Sequence, residues 1–471
     1  MPREPQPARP LTYHGGVVGA LAPFALFLGG VAWLGFLGAP SERGFWSIQV
    51  AALVLAMLLA RDRKSWADAV IDGMSQSIVM VMVMAWMLAG VLGKLMDASG
   101  FVEALVWLAR GADVTGGAYV VAAFLVCCVV STSVGTSLGT VILCAPLLYP
   151  AGGALGASPV MLIGAILGGA TFGDNISPVS DTTIASAVTQ RADMGGVVRS
   201  RMRYALPAAA LAMVVYYLFG ASPGGGAVAA GSDIGLAAGS PSGLPMILAP
   251  ALVLGLLLAR RHLLEGLLAG IAGAALLGLA LGQLQPAEIF FVDPERFSAG
   301  GLVVDGIDRA VGVSVFTFLL MGLVAGIEAT GLLARVVRAA ERSTGSTRSA
   351  EWRIFGTISA VCLLTTHSTV AIITVGEFTR TVGEHFGIGR YRRANILDVA
   401  ACSWPHIFPF FIPAIITASA TASGEAYGMP RLGPVAAGLA NAHSWALLVV
   451  LLFALSTGWG RRGRDDAAAG S

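Results

Sequence analysis

The sequence predicts an all-α polytopic membrane protein built as two inverted repeats of about five spans each, with re-entrant hairpins and Pro-interrupted helices. Three observations predict it. Of 471 residues, 56% are hydrophobic and only 12% are charged, about half the charged share of soluble domains, and mean hydropathy is +0.78. Apolar stretches near or above the roughly 20 residues that cross a bilayer recur along the whole chain. Short motifs in the first half return in the same order in the second. The ~10-residue alternating segments of a membrane β-barrel are absent from the sequence.

Residues 1–16 are polar and Pro-rich and read as a cytoplasmic tail. The run 17–39 is too long for a signal-peptide core and reads as a retained first span. Further apolar stretches cover 45–60, 77–96, 117–150, 155–191, 202–220, 244–260, 264–284, 312–331, 354–376, 394–421 and 433–457. Lipid offers backbone groups no partner, so each is expected to be a helix or a locally broken one.

Arg and Lys gather at 61–64, 191–203, 260–262, 335–353 and 461–464, and are sparse at 40–44, 221–243 and in the acidic 285–311. Basic loops face the cytoplasm, which places both termini inside. The segment 377–393 carries Arg380, Arg390, Arg392 and Arg393 and is basic like 335–353 before it. The intervening 354–376 therefore enters and leaves on one side, as a re-entrant hairpin does. The stretch 117–150 is long enough to do the same from outside. The expectation is ten full spans and two hairpins: a first repeat at 17–220, an external linker at 221–243, a second repeat at 244–457 and a cytoplasmic tail at 458–471.

Ile71-Asp72-Gly73-Met74 is expected to open the third span, and Val304-Asp305-Gly306-Ile307 its later counterpart. Gly93 then matches Gly326, and Ser99-Gly100 matches Thr330-Gly331. Cys128 through Thr132 (CVVST) matches Cys362 through Thr366 (CLLTT). An odd number of spans per half inverts the second relative to the first, the pattern of secondary transporters whose site lies at the repeat interface.

The same numbers narrow the function. A net charge of +2 gives no reason to expect nucleic acid. Cys127, Cys128, Cys144, Cys362 and Cys402 have neither metal spacing nor a disulfide framework and read as small buried hydrophobes. Signatures of zinc proteases, nucleophile elbows and Walker A loops are missing, so neither an enzyme nor a cofactor is expected. An ion channel fits paired intramembrane carboxylates less well than coupled exchange does.

The densest polar cluster in apolar surroundings runs from Gly173 to Thr183 and holds Asp174, Asn175, Ser177, Pro178, Ser180 and Asp181. Pro178 removes a backbone donor and disfavours helix at Ser177. A helix broken here presents carbonyls, hydroxyls and two carboxylates, the oxygen ligands that hard cations require. A carboxylate that holds a cation can also hold a proton, and that competition is the core of an antiporter. Ser131 through Thr140 form a second cluster, rich in hydroxyls and Gly, which suits a hairpin tip. Thr132, Ser133, Thr136 and Ser137 would complete the cation's shell. In the second half the mates are Thr366, His367 and Ser368, and the Pro-interrupted stretch around Asp398, Ser403, Trp404, Pro405 and His406. His367 and His406 are proton-shuttle candidates. Lys94 and Glu328, at nearly equivalent repeat positions, are expected to pair with each other or with Asp97. Glu377 is expected just past a hairpin arm.

The GDNISPVSDTT stretch, preceded by TSVGTSLGT, resembles the NhaC-type sodium/proton antiporters of bacteria, over nearly the whole chain. The resemblance implies sodium/proton exchange across the bacterial cytoplasmic membrane, and that Asp174, Asn175, Ser177, Ser180 and Asp181 match the family motif. A homodimer is a family-type expectation. The expected partners are a sodium ion held at Asp174 and Asp181, protons and the lipid bilayer. Because relatives of this type include carriers of organic acids and amino acids, the second reading is a sodium- or proton-coupled carrier of a small organic acid or amino acid.

Overall fold

The computed structural model describes residues 10–36, 42–222, 239–259, 261–295, 297–341 and 345–461. Most of both expected tails, most of the 221–243 linker, residues 37–39 of the first expected span and Arg260 lie outside the described residues. Among the described residues the chain is almost entirely helical, with one small sheet that pairs Phe291–Asp293 with Ser298–Gly300 in antiparallel register. Among them, eight helices are long and apolar enough to cross a membrane, and shorter apolar helices accompany them. This is a multi-pass membrane protein.

Both expected hairpins are present; the first keeps nearly its expected bounds, and the second extends beyond its apolar core at both ends. The first has arms Gly116–Val134 and Ser137–Leu148. The hydroxyl of Tyr119, at the start of one arm, donates to the Leu148 carbonyl at the end of the other, at 2.7 Å. The second has arms Thr347–Thr365 and Ser368–His385, and Thr347 donates to the Phe386 carbonyl at 3.2 Å. In both cases the far ends of the arms meet, so the chain returns to the side it came from. Each tip is a left-handed residue followed by an extended one: Gly135 (φ +75°) with Thr136, and Thr366 (φ +53°) with His367. Matching CVVST to CLLTT sets Thr132 opposite Thr366, yet the first arm runs three residues further, to Val134. It stops where Gly135 accepts positive φ without a Cβ penalty.

The first broken helix comprises Pro159–Ile176 and Asp181–Thr189, joined by extended Ser177 and Ser180 on either side of a turn at Pro178 and Val179. The second comprises Arg390–Ser403 and Ile412–Ala420, separated by a tight turn at Trp404–His406 and the segment 407–411. Small residues let the first hairpin lie almost against the first broken helix. A Cβ at Gly169 would stand 2.4 Å from the Phe124 carbonyl oxygen, and one at Gly173 would stand 2.2 Å from the Thr132 nitrogen. Such contacts drive helix association in lipid, where hydrophobic burial cannot.

Several boundaries differ from expectation. Ile71 to Met74 close a separate helix, Arg63–Met74, whose first turn is capped by the Asp62 side chain; the long helix restarts at Ser77. Val304 to Ile307 lie in the first two turns of Leu302–Glu328, which begins ten residues earlier than the span expected at 312. Asp305 sits in its first turn, where the helix dipole favours an acid. Residues 377–385 are helix, not loop, and Glu377 is an exposed position on the second arm, ion-paired with Arg380 at 2.5 Å.

Lys94 and Glu328 do not meet. Gly73 faces Met321 and Ala325, whereas Gly90 faces Gly306, so Leu302–Glu328 runs antiparallel to the chain from 63 to 98. Lys94 therefore lies towards one end of the later helix and Glu328 at the other. Asp97 pairs with Arg309 instead, at 3.4 Å.

Candidate functional site

Both hairpin tips and both helix breaks converge on one cavity of about 800 Å³. Its wall includes Thr132, Ser133, Thr136 and Ser137 from the first tip, and Asp174, Pro178 and Asp181 from the first break. Thr366, His367 and Ser368 come from the second tip, and Pro405 and His406 from the second break. Four segments, two from each half of the chain, thus supply one site.

Asp174 is held by hydroxyls. Its Oδ2 accepts from Ser137 and its Oδ1 from Ser180, both at 2.7 Å. Hydrogen bonds to an ionised acceptor are the strong ones, about 1.5–3 kcal/mol each. Ser137 opens the second arm of the first hairpin, so the carboxylate is tied to the hairpin tip. Asp181 opens the second half of the broken helix and accepts from Thr369 of the second hairpin. Among the described residues neither Asp174 nor Asp181 has a cationic side chain in ion-pair range.

Not every expected ligand faces the cavity. Ser177 donates to the Thr132 carbonyl at 2.7 Å, clamping tip to break. Ser180 is buried behind Asp174 and shares a contact of 2.9 Å with Thr182. Asn175 points away, its side-chain amide donating to Asp398 at 2.9 Å. Thr132 and Ser133 donate to the carbonyls of Cys128 and Val129, which leaves their oxygen lone pairs free to ligate. Ser368 donates to the Ala401 carbonyl. His406 Nδ1 lies 2.6 Å from the Cys402 carbonyl. A carbonyl only accepts, so Nδ1 carries the proton in the neutral ring and Nε2, which has no partner, presents a lone pair. Thr366 Oγ1 and His367 Nδ1 are likewise buried without partners.

Asp398 is also absent from the cavity wall. It is fully buried and paired with Arg201 at 2.8 Å. Arg201 had been expected in a basic cytoplasmic loop at 191–203, but the helix Met194–Phe219 starts before it and it is fully buried. Helical spacing was the available signal, because Arg201 shares a stripe with buried Val197, Ala205, Ala208 and Ala212. Arg392 and Arg393, expected in a loop, are buried too. Arg392 binds Glu351 and Tyr204, and Arg393 binds Gln190.

Residues 17–221, which carry the first hairpin and the first broken helix, match the Na+/H+ antiporter family. The chain is 27% identical over 191 residues to a malate-2H+/Na+-lactate antiporter of Bacillus subtilis, covering 40% of each chain. It is 27% identical over 303 residues to the Na+/H+ antiporter NhaC of Alkalihalophilus pseudofirmus, covering 61% of this chain and 63% of that one. The match thus spans less than two thirds of either relative's length. Among solved structures, the YdaH transporter of Alcanivorax borkumensis aligns with 16% identity and a TM-score of 0.40, over 86% of this chain and 91% of that one. Within the matched residues lie Asp174, Asp181, Ser137 and Ser180, together with Arg201.

Proposed function

We propose that this protein is a secondary active transporter that exchanges sodium, or a similar monovalent cation, for protons across the bacterial cytoplasmic membrane, with both termini cytoplasmic. One observation carries the proposal: Asp174 and Asp181 face a shared cavity and, among the described residues, neither has an ion-pair partner, while the other buried acid at a break, Asp398, has Arg201. Asp174 and Asp181 hold the cation with the help of the oxygens of Thr132, Ser133, Thr136 and Ser137. A proton on either carboxylate removes the charge that attracts the cation, so the two compete for one site. Ser137 sits on the hairpin tip, so occupancy of Asp174 is felt by the hairpin. The antiparallel course of the elements bearing Ile71–Met74 and Val304–Ile307 supports two inverted repeats, at 17–220 and 244–457, that rock against each other. A homodimer and the absence of catalysis are further parts of this reading.

The test is sodium-evoked dequenching of a pH dye in proteoliposomes. Asp174→Asn and Asp181→Asn should abolish the signal; unchanged exchange in both would sink the assignment.

A second reading has its own support. The cavity falls in the ~300–1,000 Å³ range of small-molecule sites, and the unpartnered Thr366, His367 and His406 line it. A small organic acid or amino acid coupled to sodium or protons would use them. Thermal stabilisation by a carboxylate or amino acid, with no response to sodium, would favour that reading.

A further inference from the structure

Asp174 and Asp398 occupy similar places: each lies towards the end of the first half of a broken helix, and each is buried. Their partners differ. Asp174 receives two hydroxyls and borders the cavity. Asp398 receives the Arg201 guanidinium at 2.8 Å, the Asn175 amide at 2.9 Å, and Ser186 Oγ and Cys402 Sγ at 3.1 Å each. The nitrogens of Arg201 also reach other groups on the two broken helices. They reach the Asn175 carbonyl at 2.7 Å, Thr183 Oγ1 at 2.8 Å, Ser186 Oγ at 3.0 Å and Asn395 Oδ1 at 3.3 Å. Arg201 thus grips the residue next to Asp174 and the acid of the opposite break at once.

We infer that Arg201 is a built-in cation: it occupies at Asp398 the place that the transported ion takes at Asp174, leaving one exchangeable acidic site in the protein instead of two. It is a positioning residue, acting on Asp174 through Asp398 and the Asn175 backbone, and the inference rests on the exchange reading above. The physical reason is charge balance in a poorly screened interior, where a unit charge is felt far more strongly than in water. Asp398 without Arg201 adds a negative charge beside the Asp174 site and draws cations in. Arg201 without Asp398 adds a positive charge and repels them. Together they cancel. Arg also suits the task geometrically, since its fork reaches both broken helices where a Lys ammonium presents a single point.

The test uses the full chain in proteoliposomes, with sodium KM and kcat read from sodium-evoked proton flux at one pH. Asp398→Asn should raise sodium KM about tenfold, Arg201→Gln should lower it, and the double variant should return KM to within about threefold of wild type. A role in packing alone moves both single variants the same way and leaves the double no better than either; that outcome overturns the inference. Asp398→Asn and the double variant decide the matter on their own where Arg201→Gln fails to fold. A wild-type protein with no sodium-evoked flux overturns the exchange reading, whereas wild-type flux with an unshifted KM in Asp398→Asn overturns only the role of Arg201.

Discussion

Gly173→Ala would wedge the first hairpin off the first broken helix. The added Cβ would stand 2.2 Å from the Thr132 nitrogen, 2.3 Å from Ser131 Cβ and 2.4 Å from the Ser131 carbonyl carbon. Ordinary contact begins at 3.4 Å, so the hairpin must retreat by 3.4 − 2.2, about 1.2 Å. The obstacle is mostly backbone, which cannot swing aside as a side-chain end can. The Ser177–Thr132 and Ser137–Asp174 hydrogen bonds, both 2.7 Å, would lengthen to about 3.9 Å, beyond hydrogen-bonding range. Over-packing of this kind costs about 1–3 kcal/mol. Displacing a functional group by about 1 Å can cost about a hundredfold in rate. Dye-dequenching assays should therefore show exchange reduced about a hundredfold, and melting in detergent a lowered midpoint. Gly255→Ala is the control: it lies in a helix with no heavy atom within 4 Å of its would-be Cβ, and both readouts should stay at wild-type levels. Exchange by Gly173→Ala within about threefold of wild type would refute the claim that this contact sets the site.

Three further outcomes are expected. Ser137→Ala removes one of the two hydroxyls on Asp174; at about 1.5–3 kcal/mol for a bond to a charged group, sodium KM should change tenfold or more, and an unchanged KM would remove Ser137 from the site. Glu351 is fully buried and accepts from Arg392 at 3.0 and 3.2 Å and from Arg461 at 2.8 Å. Because Glu351→Ala strands the buried Arg392, it should destabilise the protein by about 3–5 kcal/mol, read by denaturant or thermal melts against Glu351→Gln. Asp193, outside the spans, is held below the usual carboxylate range by the Tyr391 hydroxyl and the Gly196 amide. A lowered folded value means its contribution is present above the ordinary pKa of about 4 and fades as pH falls through the lower one. Asp193→Asn should therefore melt below wild type at pH 7 and converge with it in strong acid, and a gap that persists there would contradict this.

Much of the site was legible from local chemistry. Pro178 and the polar residues around it announce a helix break at Ser177 because a proline cannot continue the backbone ladder and restricts the residue before it. The second hairpin was legible from charge, since two successive basic flanks allow the intervening chain only a return to the same side, and the first from the length of its apolar stretch. What escaped was the sign and partnership of individual groups. Arg201, Arg392 and Arg393 looked like loop charges because Arg in a short polar stretch ordinarily faces water. They are buried because Asp398, Glu351 and Gln190 await them on other helices. Lys94 and Glu328 hold nearly equivalent repeat positions, but equivalence in a repeat is not proximity, and antiparallel packing separates them.

Scarce charge and long apolar runs were enough to establish a helical protein whose solvent is lipid, since backbone groups in hydrocarbon must satisfy one another within a helix. The order of motifs likewise located the acids. Which acid has a cationic partner was decided by packing: one helix delivers Arg201 to Asp398, whereas among the described residues Asp174 is held by the hydroxyls of Ser137 and Ser180. Pairing of that kind depends on a three-dimensional approach between residues 26 and 194 or more positions apart, which no local pattern encodes.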